Sequence, residues 1–144
     1  MAQSRRSIGR VVLAVAAAAL SGCGIGPADL ASQIARRVRD VDGVSEVDLR
    51  SGRGADFGSY VAGTLTLDAD DHAAGLETFD RALREAVMVL HEEGADDTVI
   101  GGITGVLHGG EEITPLELNP TFPTSDHRLD NIIASSLYER YGLG

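Results

Sequence analysis

The chain has 144 residues, with 22 acidic side chains against 12 basic ones, all arginine, a single cysteine, no tryptophan and a formal charge of −10. The absence of lysine excludes a phosphate-loop lysine and Schiff-base chemistry, and one cysteine excludes an internal disulfide or a cysteine-rich zinc site. So acidic a surface repels phosphate backbones, so nucleic acid is not an expected partner.

At the N-terminus, Arg5, Arg6 and Arg10 precede the apolar run 11–20 and a small-residue stretch, the layout of an export signal over residues 1–22. Ten apolar residues are too few to span a bilayer, which needs roughly 20. The quartet Leu20-Ser21-Gly22-Cys23 resembles the lipobox of bacterial lipoprotein precursors. The resemblance covers residues 1–23. It implies a diacylglyceryl group on the Cys23 sulfur, cleavage just before that residue, and a protein held on the extracytoplasmic face of the cell membrane. Two acyl chains hold stably where one does not. Ser4-Arg5-Arg6-Ser7-Ile8 also resembles, in part, the twin-arginine export motif, with Ile8 and Arg10 departing from its usual residues; two ordinary signal arginines explain it equally well.

Residues 23–29 then read as the lipidated cysteine and a short tether, and 30–144 as one domain. From Cys23 onward nine arginines face all 22 acidic residues, a formal charge of −13. Membranes repel such a surface, which leaves anchoring to the lipid and makes a protein or cationic partner the expected one.

Leu30, Ile34, Val38 and Val41 recur at helical spacing over 28–40, and Arg36, Arg37 and Arg39 suit the helix end. Asp42-Gly43 turns the chain into a strand over 44–50, with Glu46 and Asp48 on its wet face. Residues 51–56 read as a polar loop and 60–67 as a second strand. Asp70 or Asp71 caps a long helix over 72–93, whose stripe is Leu76, Phe79, Leu83, Val87 and Leu90 and whose end is Gly94. Strands over 98–107 and 113–118 follow, Pro115 placing the latter at an edge or bulge. Ser125 or Asp126 caps a last helix carrying Leu129, Ile132, Ile133, Leu137 and Tyr138. The order α-β-β-α-β-β-α predicts an α+β fold, a four-stranded antiparallel sheet with helices on one face. Residues 41–47 faintly resemble the helix-to-strand corner of BON and other ferredoxin-like domains, without any ligand motif.

The densest group of hard-cation donors is Asp68, Asp70, Asp71 and His72. A strand end followed by helix-capping aspartates explains it more simply. His91-Glu92-Glu93 with Asp96-Asp97 lacks the second histidine of a zinc helix, since position 95 is Ala. The glycines of 101–105 sit inside a strand pattern, which fits a bulge or close helix approach better than a phosphate cradle. There is no G-x-S-x-G elbow, and four scattered histidines offer no spacing for a site. These readings point to a non-enzymatic envelope lipoprotein whose small acidic domain binds or positions another component, with no cofactor. The alternatives are a divalent-cation-binding lipoprotein and a carboxylate- or histidine-dependent enzyme.

Overall fold

The structure, a computed structural model, describes residues 27–54, 58–118 and 132–143. Helix α1 spans Pro27–Arg39 and starts with proline, whose missing N–H costs nothing at a first helical position. It buries Leu30, Ala31, Ile34, Ala35 and Val38, the stripe its spacing predicts. Gly43, at φ +95°, then turns the chain; a Cβ there would lie 3.0 Å from the side chain of Thr78.

Strands β1 (Val44–Arg53) and β2 (Ser59–Leu67) pair antiparallel, with Leu49 opposite Gly63 and a bulge between Val44 and Glu46. The ladder runs past the predicted strand end at residue 50, through Arg53 opposite Ser59. Polar Ser51 and Gly52 belong to it for tertiary reasons. The Ala31 N–H donates to Ser51 Oγ at 3.3 Å, and the Tyr60 ring covers Gly52.

Helix α2 (His72–Glu92) matches its predicted span closely. Asp71 caps it, accepting from the Ala74 N–H at 2.8 Å. At the other end Gly94 is left-handed at φ +70°, the Ala95 N–H donates to Leu90 O at 2.8 Å, and the Gly94 N–H donates to His91 O at 3.2 Å. That pair of bonds is a Schellman closure.

The sheet order is β1-β2-β3-β4, with β3 Ile103–Val106 and β4 Glu112–Ile113. It is mixed rather than antiparallel throughout. β3 runs parallel to β2, Gly63 opposite Ile103, because α2 carries the chain back to the starting end of β2. The predicted strand 98–107 is interrupted by a turn at Gly101-Gly102, upstream of which Val99 forms single bridges to Tyr60 and Ile133. The predicted strand 113–118 ends at Ile113: Pro115 opens a 3-10 turn, Pro115–Leu118, with the Thr114 N–H donating to the Glu117 carboxylate at 3.3 Å.

The start of the predicted last helix lies outside the described residues. Its later part is not α-helical. Ile133 is extended and bridged to Val99, and Ala134–Leu137 is a 3-10 turn. Two adjacent β-branched residues suit an extended segment, and here it is tied to the Val99 segment by Ile100 N–H to Ile132 O and Ala134 N–H to Thr98 O, each 2.9 Å. Among the described residues the order is therefore α-β-β-α-β-β followed by 3-10 turns.

Both helices cover one face of the sheet. Val61, Leu65, Leu67, Ile103 and Ile113 point into the core with Phe79, Leu83, Val87 and Leu90. Gly105 lets them close: a Cβ there would meet Leu67 and Phe79 carbons at 2.8 Å each. On the face away from the two helices Glu46, Asp48, Arg50 and Thr64 are exposed, while Tyr60, Ala62 and Val106 are half-buried.

Candidate functional site

Six ionisable side chains gather where β2 gives way to α2 and the β3–β4 turn folds back over it. Asp68 and Asp70 stand on the β2–α2 connection, and His72 is the first residue of α2. His108 and Glu111 flank the Gly109-Gly110 turn, and Glu117 comes from the 3-10 turn. Backbone packing sets their spacing. Leu107 sits over Gly75 of α2, where a Cβ would approach it at 2.9 Å, and the His108 N–H donates to Ala69 O at 3.2 Å.

The two imidazoles are contacted at both ring nitrogens. His72 Nδ1 lies 2.6 Å from Glu111 Oε2 and its Nε2 lies 2.9 Å from Glu117 Oε1. His108 Nδ1 lies 2.7 Å from Asp70 Oδ1 and its Nε2 lies 2.8 Å from Asp68 Oδ1. The Glu111 carboxylate, aided by Glu117, raises the His72 pKa above the ordinary imidazole value, and Asp70 and Asp68 do the same for His108. All six side chains remain solvent-accessible, so each pair by itself contributes little to stability.

The four predicted cation donors are thus divided among different tasks. Asp68 and Asp70 engage His108, Asp71 serves the helix terminus, and His72 turns to two glutamates from other elements. Among the described residues no group of three or more His, Asp or Glu is arranged to hold a metal ion. His108, Glu111 and Glu117 were not legible as site residues, because their partners lie about 40 positions away or across a turn whose path depends on packing. The spacing of the four histidines offered no site, and the structure gives His72 and His108 separate carboxylate pairs rather than a common partner.

At the other end of α2, His91 meets the Tyr138 ring edge-on at 4.9 Å, and the Tyr138 hydroxyl donates to Asp96. Burial, then the Asp96 carboxylate, pushes that phenol's pKa up, so it is no nucleophile near neutrality. Between these ends Arg140 grips Asp80 with Nε at 3.0 Å and Nη2 at 2.7 Å, while the Tyr141 hydroxyl donates to the same carboxylate at 2.7 Å. Burial opposes ionisation of Asp80, but Arg140 and Tyr141 outweigh it and hold the carboxyl below its usual range.

A cavity of about 490 Å³ is an open groove lined by Arg37, Asp40, Val41, Asp42, Arg81, Arg84 and Glu85. Its charges largely answer one another: Arg37 lies 3.3 Å and Arg84 3.6 Å from Glu85. No described helix is long and apolar enough to cross a membrane. Leu20, Ser21, Gly22 and Cys23 lie outside the described residues. Compared with known proteins, the chain matches no family model, no curated protein and no solved structure.

Proposed function

We propose that the protein is a membrane-anchored envelope lipoprotein on the extracytoplasmic face, with a small acidic domain that binds or positions another component rather than catalysing a reaction. The observation that carries this reading is the quartet Leu20-Ser21-Gly22-Cys23, with the chain's single cysteine in the position that lipidation requires. A short tether supports it. With α1 beginning at Pro27, four residues after Cys23, the link reaches no more than about 14 Å even fully extended. A domain so close to the bilayer, and of the same charge sign as its headgroups, depends on the acyl chains to stay there.

The test is fractionation of the full chain and its Cys23→Ser variant in a bacterial host fed an alkyne-tagged fatty acid. The wild-type chain is expected in the membrane fraction carrying the tag, and the variant untagged and unprocessed. A wild-type chain without the tag, or a variant tagged as strongly as the wild type, would overturn the reading.

A further inference from the structure

Four hydrogen bonds fasten the β3–β4 turn and the following 3-10 turn to the start of α2, and in every one a carboxylate oxygen faces an imidazole nitrogen. An ionised carboxylate only accepts, and a neutral imidazole carries a single N–H. Each ring can therefore satisfy both of its neighbours only as the imidazolium. We propose that His72 and His108 form a proton-operated clasp: protonated, they tie the β3–β4 turn and Pro115–Leu118 to the β2–α2 junction, and deprotonated, each releases one of its two carboxylates.

The groups facing each ring define the clasp. Around His72 they are Glu111 from the β3–β4 turn and Glu117 from the 3-10 turn, while neighbouring Asp71 is engaged with the Ala74 N–H. Around His108 they are Asp68 and Asp70 of the β2–α2 connection. A ring that has lost one proton turns a lone pair toward an oxygen less than 3 Å away, and the two repel. The apolar seat of Leu107 on Gly75 lies beneath and does not titrate, so the outer rim loosens while the core contact stays. Two rings acting on the same turn sharpen the response beyond that of either alone.

The sign follows from the contacts. Both folded-state pKa values are raised by the facing carboxylates, so the double fastening is in place below the ordinary imidazole value, and one bond of each pair is lost as pH rises through the folded-state value. The clasp is independent of the lipid anchor, and its failure would leave the membrane reading untouched.

The experiment is a pH titration of the domain from Gly24 to Gly144 together with the full chain in detergent, followed by NMR in the presence of EDTA. His72 and His108 are expected to titrate above about 6.5, the ordinary value. The amides of His108 and Gly110, which donate to Ala69 O and Leu107 O, are expected to lose protection over the same range once corrected for intrinsic exchange. Glu111→Gln with Glu117→Gln should lower the His72 value and leave that of His108; Asp68→Asn with Asp70→Asn should do the reverse. Titration of both rings at or below the ordinary value would overturn the proposal, as would turn protection that does not change with pH. A response that appears only with added Zn²⁺ or Ca²⁺ would overturn it too, since the six side chains would then be ligands.

Discussion

A hydrogen in place of a methyl at position 105 sets how near α2 comes to the sheet. With Leu67 and Phe79 carbons each 2.8 Å from where a Cβ would stand, any side chain must displace two fully buried neighbours. Gly105→Val is expected to lower the unfolding free energy by about 1–3 kcal/mol, measured as a shift in urea midpoint at unchanged slope. An unshifted midpoint would mean that the helix does not rest there. The glycines of 101–105 suggested a bulge or a close helix approach, and at Gly105 it is Phe79 of the helix, with Leu67, that a Cβ would meet. At Gly102 the neighbour is the Ala62 methyl, 2.9 Å from a Cβ, and thus a strand residue. The Asp80–Arg140–Tyr141 cluster had no counterpart in the sequence reading. Asp80 and Arg140 are 60 residues apart, and neither lies in a pattern that names its partner.

Elements that carry their own punctuation were legible. Helix α2 has a capping aspartate, a four-turn apolar stripe and a left-handed glycine at its end, all local signals. Asp71→Ala removes the acceptor for the Ala74 N–H and is expected to cost about 1 kcal/mol, read as a lower thermal midpoint. A midpoint equal to the wild type would show that another group caps the helix. Elements whose form depends on distant partners were misread. Residues 51–53 look like loop until α1 and Tyr60 are placed against them. Ile132 and Ile133 fit a helical stripe as well as an extended segment, and pairing with Val99 decides between the two. The same holds for strand direction: nothing in residues 103–106 says whether they run with β2 or against it, because α2 alone determines on which side the chain returns. The histidine clasp was hidden for this reason, its two halves meeting only once β3 and β4 lie over α2.

For the molecule as a whole, composition was the firmer guide. The absences of lysine and of a second cysteine and the concentration of acid hold whatever the topology. The β2–α2–β3 crossover has a consequence in time rather than space. β1 and β2 are joined by a few residues and can zip as a hairpin, whereas β3 finds β2 only after 21 residues of helix have formed, and Ile133 reaches Val99 later still. Assembly should therefore proceed from the N-terminal hairpin toward the C-terminal bridge, and pulse-labelled exchange should find β1–β2 amides protected before those of Ile100 and Ala134. Simultaneous protection would argue for a single concerted nucleus. An assembly order of this kind means that a chain emerging N-terminus first shields one sheet edge early and leaves Val61 and Gly63 without their eventual backbone acceptors until most of the protein has been made.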